Sequence, residues 1–214
     1  DKQSLLNNIQ TISLAKNRIN KLENVLNSHI QMTQLIRLIL ANNQIKSINR
    51  GVFKEFSKLR HINLSGNEIE NLDENVFIDL VNLEELFLQQ NKLVHLKNDQ
   101  FKGLNKLRVL VLSQNYLKNF SSRTFKHLKC LNELLLNNNQ IEIVEQNIFN
   151  SSLSNIASLD LSGNRIRTII SNSFESLESL NKLFLLNSNL IKIEKDYFNG
   201  LKMLTRLSIG YQLE

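Results

Sequence analysis

The sequence has no proline and no tryptophan, one cysteine (Cys130) and six glycines among its 214 residues. A single cysteine cannot form a disulfide within the chain, so no disulfide framework is encoded and cysteine usage does not fix a redox compartment. No run of about 18 apolar residues occurs, which excludes an ordinary membrane-spanning helix. The glycines stand mostly alone at turns such as Gly66 and Gly163, and none belongs to a phosphate-cradling loop. The four histidines, His29, His61, His95 and His127, form neither H-E-x-x-H nor a cluster with zinc-ligand spacing. The chain begins with Asp1, and nothing near it resembles a signal peptide. The net charge is +6 with a pI near 9.4. Lysine and arginine are scattered, so the basic balance permits acidic partners without arguing for them. The missing proline and the abundant Asn, Lys, Ile and Leu read as compositional bias and carry no functional meaning.

What is present is a period. Leu83, Leu86, Leu88, Asn91 and Leu93 form a skeleton L-x-x-L-x-L-x-x-N-x-L. It returns from Leu59, Leu107 and Leu131, so that these four units begin 24 residues apart. Less regular copies start at Ile9, Leu35, Ile156 and Leu180, the last with Ser188 in place of the Asn, and a ninth opens at Leu204. The unit from Ile9 is 26 residues long, and the unit from Leu131 is stretched by one residue between Asn150 and Ser154. Leu6 falls where the last leucine of a preceding unit would stand, so the chain is expected to begin inside a repeat of something longer. A fixed period in this range means stacked structural units that bury a continuous core only together.

The residue types explain themselves. The centre of each unit is a short strand, so Leu86 and Leu88 point inward while Glu85, Phe87 and Gln89 point outward. Asn91 carries a donor and an acceptor on a short arm, suited to backbone groups where the chain turns out of the strand. An orphaned buried backbone group costs about 1–3 kcal/mol, so such a partner matters. Phe53, Phe77, Phe101, Phe125, Phe149, Phe174 and Phe198 hold one phase and are expected to form an aromatic spine within the outer wall. Cys130 is expected half-buried just before a strand.

The skeleton and the F-x-x-L ending of a 24-residue unit resemble the typical leucine-rich repeats of extracellular proteins, including Toll-type receptors and chaoptin-like and Slit-like proteins. Plant receptor repeats carry a Gly-x-Ile-Pro signature that a proline-free chain lacks, and ribonuclease-inhibitor repeats are longer. The resemblance implies an α/β repeat fold: a leucine-rich-repeat solenoid curved into a horseshoe, with a parallel sheet on the concave face and irregular or short helical segments on the convex face. Residues 1–214 then form one solenoid fragment of about eight full repeats and a partial ninth. Extracellular members usually end in cysteine-rich caps, which a single cysteine cannot supply, so the chain reads as a piece of a longer protein. The resemblance also implies an extracellular or cell-surface location, with any membrane attachment through a segment outside this fragment. Three N-glycosylation triplets begin at Asn63, Asn119 and Asn150. About three are expected by chance in so Asn-rich a chain; Asn150, in the stretched segment, is the better acceptor and Asn63 would obstruct the concave face.

No catalytic constellation is found. Glu133 and Asp160 fall in neighbouring columns of a solvated sheet, which offers no pocket to shift a carboxyl pKa. The chain is therefore read as a binding module, not an enzyme, with no cofactor and no metal. Nine strands about 4.8 Å apart present a wall about 40 Å long. Its middle column runs Ser13, Ile39, Asn63, Phe87, Val111, Leu135, Asp160, Phe184 and Ser208. Contiguous apolar surface often marks an interaction site, and interface anchors favour aromatics; the alternative is simple cross-strand support of the sheet. The expected partner-binding residues are Phe87, Val109, Val111, Leu135 and Phe184, with Glu85, Glu133 and Tyr116 giving direction. Gln89, Gln114 and Asn137 complete the rim. Arg60, Glu84 and Arg108, at the starts of three successive strands, read as a surface charge ladder. The expected partner is a protein ligand or another cell-surface receptor, with a homodimer as a further possibility. Two other readings stand beside it: a pattern receptor for nucleic acid or glycan, and a structural stack that associates with itself. Nucleic acid is disfavoured, because many lysines (Lys46, Lys58, Lys97, Lys102, Lys118, Lys126 and Lys192) fall in turns or the outer wall instead of along one surface.

Overall fold

The computed structural model describes residues 8–26 and 32–210. Leu6 and His29 lie outside the described residues. Nine short strands, one per repeat, form a single parallel sheet. In chain order they are β1 (Thr11–Ser13), β2 (Arg37–Ile39), β4 (His61–Asn63), β6 (Glu85–Phe87), β7 (Val109–Val111), β8 (Glu133–Leu135), β10 (Ser158–Asp160), β12 (Lys182–Leu185) and β13 (Arg206–Ile209). Their register follows the repeat: Ile62 faces Leu86, Leu86 faces Leu110, and Leu110 faces Leu134. Two small parallel ladders stand behind the sheet. One pairs β3 (Ser47–Ile48) with β5 (Asn71–Leu72), the other β9 (Ile143–Val144) with β11 (Thr168–Ile169). Elsewhere the outer wall is turns, with a one-turn helix α1 (Glu23–Leu26) and a 3-10 turn at Ser151–Leu153. The solenoid of stacked coils expected from the period, with very little helix, is what the chain forms.

The leucine positions of the skeleton make the core. Leu35, Leu38, Leu40, Leu59, Leu83, Leu86, Leu88 and their counterparts are fully buried as far as Leu185. The Asn column closes each coil on the one before. Asn91 donates from Nδ2 to the carbonyls of Leu88 and Leu64, both at 3.0 Å, and accepts at Oδ1 from the Ile69 N–H at 3.0 Å. Asn43, Asn67, Asn115, Asn139 and Asn164 repeat this pattern. From Leu14 to Leu136 each strand-end carbonyl is therefore shared by two asparagines, its own and the next coil's. Ser188 is too short to join, and its buried Oγ has no partner.

The aromatic spine holds with one substitution of parts. Phe53, Phe77, Phe101 and Phe125 stack with centroids 5.7–6.2 Å apart, and Phe149 stacks on Phe174 at 5.8 Å. Between Phe125 and Phe149 the ring of Phe120 intervenes, edge-on to Phe125 at 5.0 Å and tilted against Phe149 at 6.1 Å. Phe198 departs from the expectation: it is only partly buried, while its neighbour Tyr197 is buried and meets it edge-on. The last outer turn is covered on one side only, so the seventh ring of the column is not enclosed. Cys130 also departs from it. It is exposed, because it sits in the turn that the Leu131 N–H closes on the Leu128 carbonyl.

Two of the three glycosylation triplets have their amide engaged. Asn63 Oδ1 accepts from the Ser65 N–H and hydroxyl, at 3.0 and 2.6 Å. Asn150 caps the 3-10 turn through the Ser152 N–H, and its Nδ2 donates to the Ser122 carbonyl. Asn119 is exposed, with no side-chain hydrogen bond among the described residues. The more open amide is thus Asn119, not Asn150.

Candidate concave binding surface

Strand alternation delivers the concave residues in columns. On β6, β7 and β8 the register sets Phe87 beside Val111 and Val111 beside Leu135, and likewise Glu85 beside Val109 and Val109 beside Glu133. Phe87, Val109 and Leu135 are half-buried and form one apolar patch across three strands. Val111 is the exception. It keeps only 7 % of its surface, because the larger Phe87 and Leu135 flank it, so it supports the patch and offers little contact.

The patch has a polar edge that the register prepared. His61, on β4, lies one strand from Glu85, and its Nδ1 stands 2.5 Å from Glu85 Oε2. The same imidazole packs on Phe87 with centroids 5.1 Å apart and rings tilted by 45°. His61 therefore holds both a charged group and the aromatic anchor in place. The spacing of 24 residues between His61 and Glu85 was the available signal, since within the 24-residue units residues so spaced are lateral neighbours. On the far side, Asp160 accepts from the Ser162 N–H at 2.8 Å and separates Leu135 from Phe184. Phe184 belongs to a second group, where the Arg206 guanidinium lies 5.2 Å from its ring centre. The expected constellation is thus two clusters, one on β6–β8 and one on β12–β13.

Tyr116 joins neither. Gln114, at φ 54°, turns the chain out of β7, and the Tyr116 N–H donates to the Leu93 carbonyl. The ring is carried to the flank of the solenoid, 48 % exposed, beside Lys92. The lateral charges are sparse. Arg60 and Glu84 pair at 3.3 Å, but both are well exposed and Arg108 does not extend the series. On the flank, the hydrogen bond between Lys92 and Glu68 (2.9 Å) and their mutual attraction hold the Glu68 carboxyl below and the Lys92 ammonium above their ordinary pKa values. On the outer wall Asp99 meets Lys126 at 2.8 Å, His127 at 3.0 Å and Arg123 at 3.1 Å. The Lys126 hydrogen bond, aided by the His127 hydrogen bond and the Lys126 and Arg123 charges, brings its pKa down to about 2 against the opposing effect of burial. Among the described residues no group of three or more His, Cys, Asp or Glu could hold a metal ion, and no helix is long and apolar enough to cross a membrane.

Comparison with known proteins agrees with this architecture. The leucine rich repeat family model matches residues 33–93, 82–141 and 131–191. Among solved structures, the TLR13 chain of a TLR13–ssRNA13 complex superposes with a TM-score of 0.88 at 27% identity, over 94% of this chain and 28% of that one. Internalin C2 from Listeria monocytogenes superposes with a TM-score of 0.74 at 23% identity, over 97% of this chain and 84% of its own. Internalin InlF from the same organism gives 0.68 at 20% identity, over 94% and 54%. At those identities the internalins show the fold alone, and this chain spans little more than a quarter of the TLR13 chain. No curated protein sequence matches. Families with this fold are generally non-catalytic binding modules, and by the span and repetition of its motif this chain belongs to the leucine-rich repeat family.

Proposed function

We propose that this chain is part of the ligand-binding ectodomain of a cell-surface receptor or adhesion protein, and that it recognises a protein partner through the concave sheet. The observation that carries the reading is the apolar patch of Phe87, Val109 and Leu135, continuous across three strands and edged by Glu85, Glu133 and Asp160. The sheet is rigid before any ligand arrives, so association loses little ordering entropy. Aromatic and aliphatic anchors ringed by polar groups are the usual centre of a protein interface. Three carboxylates around the anchors favour a partner that presents basic groups around an apolar knob.

Nucleic acid is the second reading, because TLR13 is seen bound to ssRNA13. Phosphates need cations arrayed along the binding surface. Here the concave cations Arg37, Lys182 and Arg206 stand toward the two ends of the sheet, while Glu85, Glu133 and Asp160 hold its centre. That distribution favours protein over a polyanion.

The test is affinity capture from cell-surface and matrix extracts with the parent chain and a Phe87→Glu, Leu135→Glu double variant. Circular dichroism checks that both stay folded, as these side chains lie on the open face. A partner held by the parent and lost by the variant supports the reading; equal capture moves recognition off the concave sheet. Salt-sensitive binding of a uridine oligonucleotide in place of protein would favour the second reading, and sedimentation as a dimer that the double variant abolishes would favour self-association.

A further inference from the structure

The flank where the chain leaves the sheet carries a second constellation, independent of the concave patch. Two clefts of about 470 Å³ each lie side by side there, and Lys92 and Tyr116 line both. Gln90, Gln114 and Asn138 line the first; Glu70, Val94 and His95 line the second. Both are shallow and open to solvent, so a ligand there would keep one face in water.

The backbone under the first cleft is unusual in its choice of residues. The position just before each ladder asparagine is left-handed, and Asn or Gly fills it at Asn42 (φ 57°), Gly66 (64°), Asn138 (56°) and Gly163 (66°). Those are the residue types that accept this conformation readily. Gln90 (56°) and Gln114 (54°) do not share that ease, nor does Lys16 (58°) on the first coil. Two adjacent coils therefore bear backbone strain, and both present a carboxamide to the same cleft. Strain held in this way tends to concentrate at binding sites. Neither carboxamide has a hydrogen-bond partner among the described residues, nor does the Tyr116 hydroxyl. Tyr116 is the one aromatic among the described residues to stand exposed.

These groups select a ligand by chemistry. Each free carboxamide offers donors and an acceptor, and the phenol offers one of each. A purely apolar ligand would leave them unpaired, at a cost. An anionic ligand would meet Glu70 and Glu68, and the ammonium that lines both clefts, Lys92, is already held by Glu68. A neutral polyhydroxylated ring satisfies both conditions: its C–H face rests on an aromatic ring while its hydroxyls exchange hydrogen bonds with amides. We propose that this flank binds a neutral oligosaccharide, one pyranose ring lying against Tyr116 and its hydroxyls bonded to the carboxamides of Gln90 and Gln114.

The test is an NMR titration of the labelled chain with cellotriose, maltotriose and triacetylchitotriose. The expected result is saturable, millimolar or tighter binding of at least one of them, with shifts concentrated on the side-chain amides of Gln90 and Gln114. Tyr116→Ala and Gln90→Ala/Gln114→Ala should each weaken it at least about tenfold. Tyr116→Phe should keep most of the affinity, because the ring face remains. The Phe87→Glu, Leu135→Glu variant should bind the sugar as the parent does, which separates this site from the concave one. Absence of saturable shifts with all three sugars, or affinity unchanged in a folded Tyr116→Ala variant, would overturn the proposal. So would shifts at these residues that appear only with a uridine oligonucleotide.

Discussion

Replacing Asn115 by alanine tests how the coils are joined. The side chain is 4 % exposed and makes three principal bonds: Nδ2 to the carbonyls of Leu88 (3.0 Å) and Leu112 (3.1 Å), and Oδ1 from the Leu93 N–H (3.0 Å). The two carbonyls are not orphaned by the change. Leu88 still accepts from Asn91, and Leu112 still accepts from Asn139. The Leu93 N–H loses its acceptor inside a buried coil. An unsatisfied buried donor costs about 1–3 kcal/mol and each weakened shared carbonyl about 0.5 kcal/mol, so Asn115→Ala should destabilise by about 2–4 kcal/mol. Asn17 is the internal control. It is exposed, and among the described residues its side chain bonds only Leu14 and Ala15 of its own coil, so Asn17→Ala should cost less than about 1 kcal/mol. Urea unfolding gives the totals, and amide hydrogen exchange at Leu93 gives the local effect. A loss under about 1 kcal/mol for Asn115→Ala, with Leu93 protection intact, would refute the shared-carbonyl account.

Three more outcomes follow from single contacts. Gly103→Ala should destabilise by more than about 1 kcal/mol, because φ is +99° and a Cβ would stand 2.6 Å from the Ile78 Cα and carbonyl oxygen, where only backbone movement makes room; a thermal melt unchanged from the parent would contradict this. The depressed Asp99 pKa means that its ionised form favours the fold above pH about 4, and that this contribution fades as pH falls from 3.8 toward about 2. NMR titration of the Asp99 carboxyl should find a midpoint near 2 at low salt, and a midpoint near 3.8 would show that Lys126, His127 and Arg123 do not hold it. Ser188→Asn should stabilise by about 1 kcal/mol or more and protect the Ile166 amide, which has no acceptor among the described residues, as it supplies the carboxamide the other coils have; no gain in either readout would show that the last coils cannot adopt the ladder geometry.

The solenoid was legible because each inward position repeats one chemical demand. Leu86 must be apolar and Asn91 must bond backbone, and both demands recur with the coil, so the sheet, its register and the Phe column from Phe53 to Phe125 could be read directly. Contacts between columns were not legible. Phe120 stands in the column of Leu72 and Leu96, and nothing in the period says that its ring fills the gap between Phe125 and Phe149. Val111 reads as outward, and it is; its burial comes from the size of its lateral neighbours. Tyr116 reads as rim until the left-handed turn at Gln114 takes it to the flank. His61 could have been joined to Glu85 by register, but the three-way contact with Phe87 depends on rotamers that a period does not carry.

The ladder also explains why both proposed surfaces sit where they do. From Asn43 to Asn164 each coil is tied to its predecessor by a carboxamide with donor and acceptor both in use. At Ser188 that tie is absent; Ile191, Ile193, Met203 and Leu207 beyond it are exposed, as Val81, Ile143, Ile170 and Leu186 are before it. In a linear stack stability is close to a sum of coils and the interfaces between them, so an untied interface makes its neighbours the first to loosen. The concave patch on β6–β8 and the flank cleft at Gln90, Gln114 and Tyr116 lie several coils inside the tied region. A surface that recognises its ligand by fixed geometry gains from being placed there, because any looseness in its coils would reappear as lost affinity. Phe184 and Arg206, by contrast, stand on the two strands that border the break. The proposed anchor at Phe87 and Leu135 is therefore expected to outweigh the Phe184 cluster, and Phe184→Ala should weaken partner capture less than Phe87→Ala.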